Sequence, residues 1–292
     1  MEERIRRAEI LVEALPYIRR FSGCTVVIKL GGAAMETAEL DAVLEDIVLL
    51  RFVGMHPVVV HGGGPEISAW QQRFGIEPRF VNGLRVTDAQ TMELAKMVLT
   101  GKIGPDLVAR IHRLGGRAMG LSGEDGPTLL VHPRTSEDGH DLGFVGEVDQ
   151  VNSEPIQNIL DQGRIPVLAS VGLGYDGEAY NVNADTVAAE LAIALKATKL
   201  ILLTDIDGVR GADGTLLTEI DAERAASLIS AGIISGGMIP KVKAALHSLE
   251  RVVAAHIIDG RVPHALLLEL LTASGVGTML RPAGDASQGV AE

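Results

Sequence analysis

Two short apolar runs, residues 25–28 and 58–60, each end in a glycine-rich loop that leads into a helical pattern. Lys29 and a glycine pair follow the first run, and a glycine triplet at 62–64 follows the second. Glycines let backbone N–H groups approach an anion closely, and a lysine adds a mobile positive charge. Loops of this kind on neighbouring parallel strands face one another across the strand ends. The pattern therefore predicts an α/β sheet with a phosphate site along one edge.

Strand and helix patterns alternate along the chain, which predicts a mostly parallel sheet with helices on both faces. The predicted strands are 25–30, 57–61, 117–121, 165–170, 199–204 and 254–258. The predicted helices are 36–54, 65–74, 88–114, 153–162, 184–196, 221–231, 240–251 and 263–272. Residues 128–150 lack helical periodicity and are interpreted as a β-hairpin with a turn at Asp138-Gly139, and a second hairpin is predicted at 208–218.

The composition argues against several classes of protein. Of the 292 residues, 47% are hydrophobic but only 3% are aromatic, which fits an aliphatic core around buried parallel strands. The net charge of −12 argues against a nucleic-acid binder, which needs a basic face. The single cysteine, Cys24, rules out an intramolecular disulfide framework and fits a reducing compartment. No apolar run is long enough for a membrane span and no secretory leader is evident, so we expect a cytoplasmic protein with no membrane partner.

An amphipathic helix is predicted over residues 2–20. Its apolar stripe and the positions beside it are Ile5, Ala8, Leu11, Val12, Leu15 and Ile18. Pro16 removes a backbone hydrogen bond and predicts a kink, and Gly23 can end the helix. Because this helix precedes the first core strand, its stripe packs either on its own domain or on another subunit.

Familiar nucleotide and metal motifs are missing from the sequence. No G-x-x-x-x-G-K-[ST] is present, which excludes a P-loop, and no Cys/His cluster has zinc spacing. A G-x-G-x-x-G match at 172–177 is not followed directly by a helix, so it is interpreted as a turn. His61 precedes the glycine triplet and is interpreted as a residue that holds the loop by a hydrogen bond, rather than as a proton-transfer group.

Three charged residues lie near the starts of predicted helices. Arg85 can match a carboxylate through two parallel hydrogen bonds, or it can form a surface ion pair. Asp185 lies in the first turn of a helix that Asn183 can cap, where the acid can pair with a lysine that acts on phosphate. Lys241 lies in a first turn after a glycine-rich segment. A positive charge is unfavourable there by about 0.3–1 kcal/mol, which suggests a nearby anion.

Seven motifs occur along the chain in the order Lys29-Leu30-Gly31-Gly32, His61-Gly62-Gly63-Gly64-Pro65, Gly83-Leu84-Arg85-Val86-Thr87, Asn181-Val182-Asn183-Ala184-Asp185, Leu203-Thr204-Asp205-Ile206-Asp207-Gly208, Gly236-Gly237-Met238-Ile239-Pro240-Lys241 and Ala255-His256-Ile257-Ile258-Asp259-Gly260-Arg261. Together they resemble the amino acid kinase family over residues 23–280. The resemblance implies a three-layer αβα sandwich with a mostly parallel central sheet. It divides the chain into an N-terminal kinked helix for oligomerisation and regulation, an acyl-substrate lobe, a nucleotide lobe and a disordered tail, at 1–22, 23–180, 181–280 and 281–292.

The resemblance also implies transfer of a phosphoryl group from ATP to the γ-carboxylate of N-acetyl-L-glutamate, in arginine biosynthesis. Lys29 and Lys241 would stabilise the migrating group, and Asp185 would orient both lysines. The substrate would be bound by Gly63, Gly64, Arg85 and Asn181. The nucleotide would be bound by Gly31, Gly32, Thr204, Asp205, Gly236 and Gly237. Mg²⁺ would be held mainly by the phosphates, without a protein-built metal site.

Arginine-inhibited members of the family carry an N-terminal kinked helix that joins dimers into a hexameric ring, and residues 2–20 resemble it. The resemblance therefore implies a homo-hexamer that is feedback-inhibited by L-arginine near this helix and the 264–277 segment. Two positions depart from the family pattern, since Ala33 stands where many members have Asn and Glu124 where many have Lys.

Two other functions stay open. One is a sibling kinase for another acidic substrate, such as carrier-linked aminoadipate. The other is a non-catalytic sensor of arginine or nucleotide. Lys29, Lys241 and Asp185 argue against the sensor, because sensing does not require paired phosphate-binding lysines.

Overall fold

A computed structural model describes residues 1–35, 39–81, 83–136, 139–272 and 275–282. The strands are β1 (Thr25–Leu30), β2 (His56–His61), β3 (Phe80–Val81), β4 (Leu84–Arg85), β5 (Ala118–Ser122), β6 (Leu129–Thr135), β7 (Asp141–Val151), β8 (Ile165–Ala169), β9 (Val171–Gly174), β10 (Ala179–Val182), β11 (Lys199–Thr204), β12 (Glu219–Ile220), β13 (Ala254–Asp259) and β14 (Thr278–Leu280).

The helices are α1 (Glu2–Glu13), α2 (Leu15–Phe21), α3 (Gly32–Met35), α4 (Leu40–Phe52), α5 (Gly64–Arg73), α6 (Ala89–Val98), α7 (Gly104–Arg113), α8 (Glu154–Asp161), α9 (Ala184–Ala194), α10 (Ala222–Ser230), α11 (Met238–Ser248) and α12 (Ala265–Leu271). A π-helical turn, Leu99–Ile103, joins α6 to α7.

Eight strands form one sheet in the order β12-β14-β13-β11-β1-β2-β8-β5, with β1 at its centre. The six predicted strands are confirmed, and β1 runs parallel to both β2 and β11. Alternate residues of β1 enter opposite cores, since Val27 packs with α9 whereas Val26 and Ile28 pack with α4 and α12. A strand buried on both faces in this way produces the three-layer αβα sandwich that the sequence predicts.

The predicted hairpin at 128–150 is confirmed as the pair β6 and β7. These strands close with β9 and β10 into a small four-stranded barrel beside the main sheet. The turn predicted at Asp138-Gly139 falls partly outside the described residues, because Asp138 is not among them. The glycine pattern at 172–177 covers the end of β9 and the turn toward β10, so the turn interpreted from the sequence is present but its first three residues belong to a strand.

Several parts of the chain differ from the predictions, among them the short strands β3, β4, β9 and β10, which were not predicted. The single helix predicted at 88–114 contains the π-helical turn, directly before Gly104 and Pro105. The antiparallel strand β14 and the short β12 extend the sheet beyond β13, where no strand was predicted. Both are too short to carry a periodic signal.

The N-terminal helical segment divides at Ala14, so α1 and α2 are separate helices and Pro16 lies in the first turn of α2. Phe21 of α2 is buried against the core that contains α12. The apolar side chains of α1 and of the start of α2 are instead exposed, namely Ile5, Ile10, Leu11, Val12 and Leu15. The alternative that this stripe packs on its own domain is therefore wrong for α1.

At the C-terminal end, Arg281 donates its backbone N–H to the carbonyl oxygen of Ile220. The rest of the predicted tail, residues 283–292, lies outside the described residues. Among the helices that the structure describes, none combines the length and the hydropathy that a bilayer span requires.

Candidate active site

Lys29 and Asp185 meet where β1 ends and α9 begins. Lys29 lies on the same face of β1 as Val27, and that face packs against α9. Asn183 caps α9, because its side chain accepts hydrogen bonds from the backbone N–H groups of Asp185 and Thr186. The cap holds the first turn of α9 at the strand ends, where Lys29 Nζ lies 2.8 Å from Asp185 Oδ1.

Lys241 approaches the same carboxylate from a second helix. It lies in the first turn of α11, which packs against α9, and its Nζ lies 3.0 Å from Asp185 Oδ2. The two lysines that the sequence predicts to act together are thus brought to the two oxygens of one aspartate. The side chains of Lys29 and Asp185 are buried, and that of Lys241 is 19% exposed.

The buried charges fix the protonation state of this cluster. Burial by itself raises the pKa of Asp185, but the positive charges of Lys29 and Lys241 outweigh it and hold the pKa below its ordinary value. Burial lowers the pKa of Lys29, and the Asp185 charge opposes that shift. Asp185 is therefore a carboxylate at neutral pH, with one lysine at each of its two oxygens.

The two glycine loops touch one another beside these lysines. Gly31 donates its backbone N–H to the carbonyl oxygen of Leu203 at 3.0 Å. A Cβ added at Gly31 would lie 2.7 Å from that oxygen, and one added at Gly32 would lie 2.5 Å from the Pro65 ring. Such distances are too short for any side chain, so glycine is required here by close approach of the backbone. Gly63 ends the second loop, directly before α5 begins.

Arg85 of β4 and Asn181 of β10 line the same cavity. The Arg85 guanidinium donates to the Gly64 carbonyl oxygen and to Ser68 Oγ, both at 2.8 Å, and also contacts Gln71. Arg85 is therefore held in place within the chain, and it forms no ion pair with any carboxylate among the described residues, unlike the surface pair considered from the sequence. Asn181 lies in β10 and reaches the cavity from the barrel.

The cavity between these groups has a volume of about 350 Å³. Of the residues that the sequence assigns to the site, the cavity is lined by Lys29, Gly31, Gly32, Gly63, Gly64, Arg85, Asn181, Asp185, Thr204, Asp205 and Lys241. Gly236 and Gly237 do not line it, since they form an exposed turn immediately before α11. Ser170 and Asn183 also line the cavity and were not assigned to it from the sequence.

His61 supports the second loop from inside. Its ring is completely buried, and Nδ1 lies 3.0 Å from the carbonyl oxygen of Gly62. Burial lowers the pKa of His61 to about 4, so the ring is neutral at pH 7. The hydrogen-bonding role interpreted from the sequence is consistent with this geometry.

Of the residues that the sequence assigns to the nucleotide, Thr204 ends β11 and Asp205 follows it directly. Thr204 Oγ1 donates to Asp205 Oδ1 at 3.2 Å, and the Thr204 carbonyl accepts the backbone N–H of Gly260. No group of three or more His, Cys, Asp or Glu side chains is arranged for a metal ion within the described part of the chain. Two carboxylates line the cavity, those of Asp185 and Asp205. The Asp185 carboxylate has a lysine at each of its oxygens.

Sequence reasoning missed the residues that hold Arg85. Gln71 is buried, and besides its contact with Arg85 it donates from Nε2 to Thr91 Oγ1 at 3.2 Å. The signal available in the sequence was a glutamine one turn after Ile67, on the buried face of α5. Such a residue is buried only when it is hydrogen-bonded.

A mostly parallel αβα sandwich in which two lysines and two glycine loops converge at the strand ends is the arrangement expected of an enzyme that transfers phosphoryl groups. Comparison with known proteins specifies the family. The model of the amino acid kinase family matches residues 25–259, and the chain belongs to this family. It is an enzyme, and its activity is that of a kinase.

Individual relatives agree with this assignment. The acetylglutamate kinase of Desulforamulus reducens is 53% identical over 281 residues, which cover 94% of this chain and 98% of that protein. N-acetylglutamate synthase from Neisseria gonorrhoeae, solved with coenzyme A and N-acetyl-glutamate, has a TM-score of 0.85 at 29% identity. The match covers 94% of this chain and 63% of that one. A second complex of that synthase contains coenzyme A and L-arginine.

A more distant structure shows the fold alone. Carbamate kinase from Giardia lamblia, bound to AMP-PNP, has a TM-score of 0.65 at 17% identity. The match covers 89% of this chain and 99% of that one.

Proposed function

We propose that this enzyme transfers the γ-phosphoryl group of ATP to the γ-carboxylate of N-acetyl-L-glutamate, as a step of arginine biosynthesis. The observation that carries the proposal is the contact of Lys29 and Lys241 with the two oxygens of Asp185. The name of the relative from Desulforamulus reducens supports the choice of substrate.

The attacking carboxylate is already ionised, so the reaction needs no general base. The obstacle is the approach of one anion to another, and alignment with fixed positive charge overcomes it. Lys29 and Lys241 would contact the oxygens of the migrating group, while Asp185 keeps both ammonium groups at one point. Backbone N–H groups of the glycine loops would add donors without reorganisation.

The two sides of the cavity would hold the two substrates. Arg85 would bind the α-carboxylate of the acyl substrate and Asn181 its acetamido group, with Gly63 and Gly64 beside the γ-carboxylate. The nucleotide would lie along Thr204 and Asp205. The turn at 235–237 does not line the cavity.

We assign the acyl-substrate lobe to 23–180 and the nucleotide lobe to 181–280, with Asn181 at the boundary contacting the acyl substrate and the Gly31-Gly32 pair contacting the nucleotide from the first lobe. Mg²⁺ would be held mainly by the phosphates, whose charge it neutralises. That arrangement suits a site in which each oxygen of Asp185 already contacts a lysine.

An ATP-dependent hydroxamate assay tests the proposal, because hydroxylamine traps an acyl phosphate. N-acetyl-L-glutamate should give product, whereas L-glutamate and N-acetyl-L-aspartate should give at least about tenfold less, since pocket contacts of one or two groups discriminate on this scale. Absence of product with N-acetyl-L-glutamate, from folded protein with ATP and Mg²⁺, would reject the proposal. Product from an aminoadipate derivative alone would favour the sibling kinase.

We further propose that L-arginine inhibits the enzyme by binding near α2 and α12. Glu269 of α12 and His256 of β13 form a buried pair, in which His256 Nδ1 is 2.6 Å from Glu269 Oε1. The half-buried Lys199 of β11 interacts electrostatically with Glu269. Phe21 of α2 lies over Lys199, with the ammonium 5.1 Å from the ring centroid. A carboxylate and an ammonium side by side match the guanidinium and carboxylate of arginine.

The exposed apolar side of α1 supports a homo-hexamer, in which this helix packs on a second subunit. Leu11 is 74% exposed and Val12 is 66% exposed, although both are strongly apolar. Light scattering tests the assembly: the full chain should form a hexamer, and a chain lacking residues 1–22 should form a dimer. A full chain that is already a dimer would reject this assignment.

A further inference from the structure

Thr87 is completely buried between Arg85 and Asn181, the two residues that the proposed function places on the acyl substrate. Its Oγ1 donates to the carbonyl oxygen of Arg85 at 3.0 Å. The same oxygen accepts a hydrogen bond from Asn181 Nδ2 at 3.3 Å. One hydroxyl group thus links the backbone of Arg85 to the side chain of Asn181.

The number of hydrogens on this hydroxyl decides which way the Asn181 amide faces. A threonine hydroxyl has a single hydrogen, and here the Arg85 carbonyl accepts it. Toward Asn181 the Thr87 oxygen can therefore only accept, so it must meet Nδ2 and not Oδ1. The opposite amide orientation would place two acceptors against one another and leave Nδ2 without this partner.

Strand β7 fixes the positions of both residues. Thr87 donates its backbone N–H to the Leu142 carbonyl at 2.9 Å and accepts that of Phe144 at 2.6 Å. Asn181 in β10 pairs in parallel register with Val145 of the same strand.

Gly143 lies between these contacts on β7. It has a φ of +67°, and a Cβ there would lie 2.3 Å from the Thr87 carbonyl oxygen. The spacing between Thr87 and Asn181 is therefore set by one rigid strand and not by a flexible loop.

We propose that Thr87 is a positioning residue that makes the α-substituent subsite selective for a hydrogen-bond donor. With Nδ2 held by Thr87, Asn181 presents Oδ1 as an acceptor to the substrate. An amide N–H donates a hydrogen bond to this acceptor. The ester oxygen of an otherwise identical molecule is itself an acceptor and is repelled by it. This inference rests on the proposed function, because it takes an N-acylated amino acid as the substrate.

The experiment compares N-acetyl-L-glutamate with its ester isostere, (S)-2-acetoxyglutarate, in wild type, Thr87→Val and Thr87→Ser. Valine keeps the shape of threonine without the hydroxyl, and serine keeps the hydroxyl. Kinetics by ADP release, in the absence of hydroxylamine, are combined with calorimetric binding of both compounds. Wild type should favour the amide by at least about 100-fold, since a site built for a hydrogen bond rejects an analogue that lacks the group.

Thr87→Val should reduce that preference at least about tenfold, through a higher KM and weaker binding for the amide, with the KM for ATP unchanged. Thr87→Ser should restore the wild-type preference. If Thr87→Val does not fold, Thr87→Ala removes the same hydroxyl without adding bulk. The preference of that variant for the amide over the ester then tests the inference. An unchanged preference, or an equal loss for both compounds, would overturn the inference.

Failure of the proposed function is distinguishable from failure of this inference. A wild-type enzyme that neither binds nor phosphorylates N-acetyl-L-glutamate would reject both. A wild-type enzyme that is active on N-acetyl-L-glutamate, with the same amide preference in Thr87→Val, would reject only the role of Thr87.

Discussion

Lys29 Nζ lies 2.8 Å from Oδ1 of Asp185, where the carboxyl end of β1 meets the first turn of α9. Because the second carboxylate oxygen faces Lys241, two positive charges share one negative charge in a largely buried place. Water screens such charges poorly, so the excess positive charge attracts an anion strongly. The arrangement explains how an ammonium group is stable in the first turn of α11, where the helix dipole disfavours it.

Lys241→Gln should lower kcat by about 10²–10³, the scale on which loss of one preorganised charge-stabilising group acts. The KM for the acyl substrate should change little, because the lost contact is to the migrating group. Lys243→Gln is the matched control, since Lys243 is an exposed lysine of the same helix that does not line the cavity. Equal kcat values for the two variants would contradict the role of Lys241.

Gly31→Ala should reduce kcat/KM at least about tenfold and lower the free energy of unfolding by about 1–3 kcal/mol, as overpacking does. The added methyl group meets the backbone oxygen of Leu203, which cannot rotate away. Gly101→Ala is the control, because its Cβ would meet nothing within 4 Å. Steady-state kinetics and urea unfolding measure both effects, and wild-type behaviour of Gly31→Ala would show that the loop moves freely.

His61 should make stability depend on pH between about 4 and 6.5. In that window the unfolded chain binds a proton at His61, whose ordinary pKa is 6.5, while the folded chain does not, because burial lowers the pKa to about 4. The unfolded state then holds more protons, so stability rises with pH. The contribution is complete above pH 6.5 and is lost as pH falls through the window.

Urea unfolding at pH 7 and pH 4 checks this expectation. The wild-type free energy of unfolding should fall by about 3 kcal/mol more than that of His61→Asn, from 1.36 kcal/mol per pKa unit. His140→Asn removes an exposed histidine and should behave as wild type. Parallel pH profiles for wild type and His61→Asn would contradict the expectation.

Inhibition by L-arginine should weaken above pH 8. Burial lowers the pKa of Lys199 to about 8, so this side chain loses its positive charge as pH rises through that value and no longer attracts the ligand carboxylate. The inhibitory concentration should rise by about tenfold between pH 7 and pH 9. In Lys199→Arg the charge persists at all these pH values, so the rise should disappear. Inhibition that is absent at pH 7 would reject the arginine site itself.

Local patterns predicted much of this protein because they depend on neighbours in the chain. Apolar residues followed by glycines predict one strand that ends near Lys29 and another that ends near His61. In the structure β1 ends at Leu30 and β2 ends at His61. The cap by Asn183 is likewise a contact with residues two and three positions away. Such features need no knowledge of distant segments.

Other features could not be predicted from the sequence, since they require segments that are far apart in the chain. Gln71 and Thr87 looked like ordinary helix and loop residues, and only the packing of α5 and β7 places them around Arg85 and Asn181. The π-helical turn and the antiparallel β14 are likewise set by packing and have no periodic signature.

The sequence alone determined the class of fold, the family and the residue types that meet at the strand ends, because apolar periodicity and glycine loops are local properties. The tertiary structure decided how those residues are held: that Asp185 bridges two lysines, that Arg85 is fixed by Gly64, Ser68 and Gln71, and that the Thr87 hydroxyl orients the Asn181 amide. The reason is physical, since the direction of a hydrogen bond or an ion pair exists only when packing brings both partners together.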